Sequence, residues 1–210
     1  MGQTDLTEPL GRDGGWAEAE PPCANAAFAE LPVRPYDLLT LAVCWVLWPL
    51  WWLLGLRRAA GMLRHYIGAT GTPRRVDAEA LLALPAVRAA AEEQLARWRT
   101  EALARWNAGP APRAPAAYPA DSGWRDALIT WRVHTDWWLA LRCVEFRLTG
   151  TVRVAPDGST AVDYRFAVAK SWNFDRGKSE CGVPFAPFAR LHETGLARQF
   201  TVTGEAFGHA

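Results

Sequence analysis

One stretch of the sequence, residues 38–56, carries no charged side chain and reads LLTLAVCWVLWPLWWLLGL. Nineteen helical residues rise about 28 Å, close to the roughly 30 Å hydrocarbon core of a bilayer. Its leucines and valines together favour membrane insertion by roughly 3–6 kcal/mol. The stretch therefore predicts a transmembrane helix at residues 36–57, and no other feature constrains the fold as strongly.

Four tryptophans and a proline make this an unusual span. We predict that Trp45, Trp48, Pro49, Trp51 and Trp52 insert into the membrane, because tryptophan favours sites where apolar and wet surroundings meet. Pro49 removes a backbone donor and favours a kink, which keeps a re-entrant or shallow insertion open. The other alternative is a helix buried in a soluble core, which would need protein on all its sides.

Charge is distributed unevenly around the apolar stretch. Residues 1–35 carry two arginines and six acidic residues, whereas residues 57–75 carry five arginines and no acidic residue. Basic flanks stay in the cytoplasm. The pattern therefore predicts a single-pass protein of the cell membrane, with its N-terminus outside and its C-terminal domain in the cytoplasm. The predicted cytoplasmic flank consists of Arg57, Arg58, Arg64, Arg74 and Arg75.

The charge of the chain also indicates which classes of partner it can bind. The lipid bilayer is the first predicted partner. The net charge of +1 argues against nucleic acid as a partner, because binding to phosphates needs a surplus of basic residues.

Periodicity and composition divide the chain into six segments. We predict a disordered acidic tail at 1–35, the transmembrane helix at 36–57, a basic juxtamembrane linker at 58–75, an amphipathic helix at 76–107, a proline-rich linker at 108–123 and a small α+β domain at 124–210. Ser122 is the predicted cap of a helix that begins at Trp124.

The amphipathic helix has one apolar stripe. Its members recur at steps of three and four residues and are Val87, Ala91, Leu95, Trp98, Ala102 and Trp106. Pro85 fits the first turn of a second helical piece. The stripe can pack against the C-terminal domain, against a protein partner or against a second copy of the chain as a homo-oligomer. A helix lying on the membrane surface is the other possibility.

The C-terminal third has the clearest β-strand pattern. Apolar and polar side chains alternate over residues 144–154 and again over 162–168, after a turn at 156–159. A short helix at 185–193 and a third strand at 198–204 follow. The predicted fold class is α+β: a single transmembrane helix, a long amphipathic helix, and a small antiparallel sheet of about three to four strands with one or two short helices.

Chemical motifs are absent from the sequence. No nucleophile elbow, P-loop, dinucleotide fingerprint or zinc-protease motif occurs, so no catalytic residue, metal site or cofactor is predicted. Asp175 and His192 are the best candidates for an acid–base pair, although one Asp and one His occur in almost any domain. Pairing of Cys143 with Cys181 is left open, because cytoplasmic thiols stay reduced.

Residues 160–206 combine an alternating strand, an aromatic and Asp-containing loop and a short helix. The quoted elements are Trp172–Gly177, Leu191-His192, Gly195-Leu196-Ala197 and Phe200–Gly204. This stretch resembles the C-terminal tails of uncharacterised bacterial proteins, some of them associated with secreted toxins, and the resemblance implies no catalytic residue.

Two functions follow from these features. The first is a bacterial single-pass membrane protein whose C-terminal domain binds a partner without catalysis. The alternative is a membrane-active toxin or effector that acts through its Trp-rich apolar segment.

Overall fold

The structure, a computed structural model, describes residues 28–110, 114–180 and 182–210. Most of the predicted acidic tail lies outside these ranges. Cys181, the open pairing partner of Cys143, also lies outside them.

Six helices occur in the described part of the chain. They are α1 (Pro35–Leu53), α2 (Arg57–Ile67), α3 (Ala78–Leu82), α4 (Pro85–Asn107), α5 (Thr135–Leu141) and α6 (Ala186–Glu193). The strands are β1 (Arg74–Arg75), β2 (Ala116–Leu128), β3 (Cys143–Val154), β4 (Thr160–Trp172), β5 (Ser179–Glu180), β6 (Val183–Pro184) and β7 (Phe200–His209). The fold is α+β, as the sequence predicts.

The main sheet has five strands in the order β1-β7-β4-β3-β2. The predicted hairpin is confirmed, because β3 and β4 pair antiparallel with Val154 opposite Thr160. β7 extends the hairpin antiparallel to β4. The prediction of a purely antiparallel sheet of about three to four strands is wrong, because β1 pairs parallel with β7 and makes the sheet mixed. β5 and β6 form a separate two-stranded sheet.

The predicted amphipathic helix packs against this sheet. It consists of two pieces, α3 and α4, and Pro85 opens the second, as predicted. α4 contacts β2, β3 and β4. The buried members of the predicted stripe are Val87, Ala91, Leu95, Trp98 and Ala102. Because the sheet of the same chain covers these side chains, the stripe is already used in the fold.

The segment predicted as a basic linker at 58–75 instead contains α2 and β1. Its buried residues Ala59, Met62, Leu63 and Tyr66 recur at steps of three, one and three, which gives α2 one apolar face despite its arginines. Buried side chains from Cys44 to Ala206 form one cluster. Helices α1 to α4 and the main sheet therefore share a core.

The proline-rich segment predicted as a linker at 108–123 also differs. β2 begins at Ala116 and continues through Trp124, where a helix was expected. Ser122 lies at a break in the strand register, and its hydroxyl accepts a hydrogen bond from the Leu148 amide at 2.8 Å. The side chain therefore binds the backbone of β3 instead of capping a helix. Pairing with β3 outweighs the weak strand propensity of this segment.

Core packing gives a direct test of the fold. Phe166 on β4 is fully buried, whereas Phe207 on β7 is 71% exposed. We expect Phe166→Ala to lower the free energy of unfolding by about 3–5 kcal/mol, because it leaves a cavity in the core. Phe207→Ala, the matched control, should change it by no more than about 0.5 kcal/mol. Urea unfolding of both variants measures the difference, and equal midpoints would contradict this core.

Candidate functional site

α1 is covered along one side only. Its buried residues Asp37, Thr40 and Cys44 follow a spacing of three and four, while Leu41, Leu47, Trp48 and Trp51 pack partly against the core. The rest of the helix carries exposed apolar side chains. They are Tyr36, Leu38, Leu39, Val43, Trp45, Val46, Leu50, Trp52 and Leu53, followed by Leu54. We call this set the α1 apolar face.

The α1 apolar face contains no charge. Leu39, Val46 and Leu53 recur every seven residues along its centre and are 60%, 66% and 74% exposed. By length and mean hydropathy (1.4), α1 is the one helix of the described ranges that could cross a bilayer. Only 17% of its most apolar 18-residue stretch is buried by the rest of the protein. A helix in a soluble core would be covered on most sides. Large uncharged patches mark contacts with proteins or membranes.

A buried ion pair fixes the N-terminal end of α1. The Arg190 guanidinium of α6 donates Nε to Asp37 Oδ1 at 2.6 Å and Nη2 to Asp37 Oδ2 at 3.0 Å. Asp37 is 1% exposed and also accepts the Arg34 amide at 2.8 Å. A carboxylate in the first turn of a helix is further stabilised by the helix dipole. The preceding chain runs along α6, where the Leu31 amide donates to the Glu193 carbonyl at 2.9 Å.

A tight turn fixes the C-terminal end of α1. Gly55 has a φ of +81°, in the left-handed region that favours glycine, and it directs the chain into α2. α2 then packs along α1 and α5. Asp136 of α5 accepts the Ala59 amide at 2.9 Å and the Arg58 amide at 3.2 Å, so a buried carboxylate caps the start of α2. Both ends of α1 are therefore attached to the same domain.

The predicted insertion residues lie on both sides of α1. Trp45 and Trp52 belong to the exposed apolar face, whereas Trp48, Pro49 and Trp51 are half-buried. Trp45 contacts Trp48 edge-on, with ring centroids 6.5 Å apart. Pro49 lies inside the helix without ending it. The tryptophans thus form part of the contact between α1 and the domain as well as part of the exposed surface.

Of the five arginines in the predicted basic flank, Arg58 and Arg74 contact other residues of the domain, and Arg75 is exposed to solvent. Arg58 pairs with Asp136 and stacks on the Trp137 ring at 4.4 Å. Arg74 is partly buried and donates Nη1 to the Gly61 carbonyl at 2.6 Å; this burial lowers the pKa of its guanidinium. Arg75 is an exposed residue of β1.

The other two arginines of the flank lie beside α1. Arg57 is 5.6 Å from the Trp52 ring centroid and Arg64 is 5.0 Å from that of Trp48. Both side chains are exposed. They hold positive charge next to the α1 apolar face.

The sequence candidates Asp175 and His192 have different partners. Asp175 accepts hydrogen bonds from Asn173 Nδ2 at 2.9 Å and from Lys178 Nζ at 2.6 Å. His192 is buried, and its Nδ1 accepts the Gln199 amide at 3.3 Å. An acid–base role for these two residues stays a prediction.

Other charges in this region and on the sheet are paired with opposite charges. Arg176 holds Glu193 in a two-point contact, which lowers the pKa of the Glu193 carboxyl. The open face of the sheet carries the cross-strand pairs Arg147–Asp121, Arg153–Asp163 and Arg165–Glu205. Within residues 28–110, 114–180 and 182–210, no group of three His, Cys, Asp or Glu side chains is arranged to hold a metal ion.

Sequence reasoning found the apolar stretch and the arginines but missed how they are held. The contacts Asp37–Arg190 and Asp136–α2 join residues far apart in the chain, and spacing gave no signal for them. One signal was present: α2 has an apolar face at helical spacing.

Comparison with protein-family models, with curated proteins and with solved structures gives no significant match for this chain.

The ion pair at the start of α1 can be tested with a double-mutant cycle. Arg190→Gln should lower the free energy of unfolding by about 3–5 kcal/mol, because it leaves the buried Asp37 carboxylate without its cation. Asp37→Asn should cost less, because the Arg190 side chain is partly exposed and water can hydrate it. The double variant should lose clearly less than the sum of the two single changes. Urea unfolding measures all four proteins. Strict additivity would contradict a direct interaction between these side chains.

Proposed function

We propose that the protein is a membrane-attached, non-enzymatic interaction protein that lies on the bilayer surface through the α1 apolar face. One observation carries the proposal: ten exposed apolar residues on and just after α1 form an uncharged face on a helix whose two ends are attached to the same domain. Burial of such a face in the boundary between headgroups and acyl chains is favourable.

The attachments of α1 favour an in-plane arrangement over the single span that the apolar stretch alone suggests. To cross the bilayer, α1 would have to separate Asp37 from Arg190 and move one of its ends to the far side. Separating the pair would break the two hydrogen bonds that join the start of α1 to α6. Lying in the plane of the membrane requires neither change. In this arrangement the chain segments before and after α1 stay on the same side of the membrane.

The α+β domain would then present a surface to a protein partner. The outer strand β2 is a poor site for strand addition, because Pro119 and the register break between Asp121 and Trp124 interrupt its edge. A better candidate is the segment before α5, where Leu128, Trp131 and Val133 are exposed. Tryptophan is enriched at the centres of interfaces, and Leu128 and Val133 add exposed apolar surface near Trp131.

A membrane-active toxin is the second candidate function. The observation that favours it is that the covered side of α1 is also largely apolar, through Cys44, Leu47 and Trp48. If the Asp37–Arg190 pair opened, α1 would be apolar on nearly all sides and could insert more deeply. Such insertion would release a dye trapped in vesicles, whereas in-plane attachment would leave the vesicles intact.

Vesicle flotation of the full chain tests membrane attachment. Val46→Asp places a charge at the centre of the α1 apolar face, where an aspartate costs up to about 3 kcal/mol in a membrane helix. We expect the partition coefficient to fall at least about tenfold. Phe207→Asp is the matched control, because Phe207 is an exposed apolar residue opposite Arg165 on the open face of the sheet.

The control variant should float like the unchanged protein. A wild-type chain that stays with the soluble fraction would contradict the proposal, as would equal losses in the two variants. Dye release by the wild type, abolished by Val46→Asp, would favour the toxin alternative.

A further inference from the structure

We propose that the groove between α1 and α2 binds the phosphate of an anionic phospholipid. This inference rests on the proposed membrane attachment and names the ligand that would be recognised there. The groove has a volume of about 630 Å³. Trp48, Trp52 and Leu53 of α1 form one wall, and Arg57, Gly61 and Arg64 of α2 form the other. We call it the α1–α2 groove.

The spacing of the residues on α2 places two arginines on the side of the helix that lines the groove. Arg57 and Arg64 are seven residues apart, so they lie on the same side of the helix about 10 Å from each other. Between them α2 presents only Ala60 and Gly61 to the groove. Ala60 is buried, and a Cβ at Gly61 would meet the Arg74 guanidinium, so neither position places a bulky side chain between Arg57 and Arg64.

The two arginines are suited to bind an oxyanion. Their nearest described partners are the faces of Trp52 and Trp48, and no acidic side chain of the described ranges forms an ion pair with either. Stacking on a ring holds the guanidinium plane but leaves its edge N–H groups free to donate. Arginine matches the geometry of a phosphate with two parallel hydrogen bonds.

A lipid phosphate fits the groove better than a free phosphate ion. The remaining groove lining is apolar, and Leu53 belongs both to the groove and to the α1 apolar face. A headgroup at the arginines would therefore leave its acyl chains beside the surface that enters the bilayer.

The test compares vesicles of phosphatidylcholine alone with vesicles that also contain phosphatidylglycerol. The full chain should bind the anionic vesicles more tightly. Arg57→Gln/Arg64→Gln should weaken binding to anionic vesicles about 30-fold, since each arginine near an anionic surface contributes about a fivefold factor. Binding to neutral vesicles should not change, which also reports that α1 is still in place.

The matched control is Arg88→Gln/Arg105→Gln, which removes the same charge from exposed positions on α4. It should retain most of the preference for anionic vesicles. Equal losses in the two double variants would overturn the groove in favour of general attraction, and so would a wild type that binds both vesicle types equally. If the first double variant does not fold, Arg64→Gln alone should lose about fivefold, and no loss would overturn the proposal. Failure of the wild type to bind either vesicle type would instead refute membrane attachment itself.

Discussion

The ion pair between Asp37 and Arg190 determines how the most apolar helix of this protein is used. A buried ion pair is kept only where its geometry offsets the loss of hydration, and here two hydrogen bonds, the Arg34 amide and the dipole of α1 do so. The pair holds the N-terminal end of α1 against α6, and the turn at Gly55 holds the other end against α2. Between these two attachments, only one side of α1 contacts the rest of the domain, and the opposite side is exposed.

The charged residues beside this exposed side differ from those in the rest of the domain. Asp136 caps α2 and pairs with Arg58, and the open face of the sheet is a series of oppositely charged pairs. Arg57 and Arg64 differ, because they rest on tryptophan rings beside the α1 apolar face. Apolar surface, tryptophan and arginine together are the composition typical of proteins that lie in a membrane interface.

The parts of the fold that were predictable from sequence are those with local periodic signals. The β3–β4 hairpin alternates with a period of two, and α4 has its stripe and Pro85. β2 was missed because its alanines, proline and glycine have weak strand propensity, and only pairing with β3 makes it a strand. At the candidate site, the sequence indicated the apolar helix and its arginines. It gave no sign of Arg190, because the contact with Asp37 joins residues 153 positions apart.

Depth measurements along α1 test the central claim, that the helix lies in the plane of the membrane. Spin labels would be attached singly at Leu39, Val46 and Leu53, which share one exposed side, in a chain without its native cysteines. With vesicle-bound protein, the account predicts that all three labels lie at a similar shallow depth, within roughly 5–10 Å of the headgroup boundary. A label deep in the bilayer at position 46, with those at 39 and 53 about 20 Å apart along the membrane normal, would contradict it and establish a span.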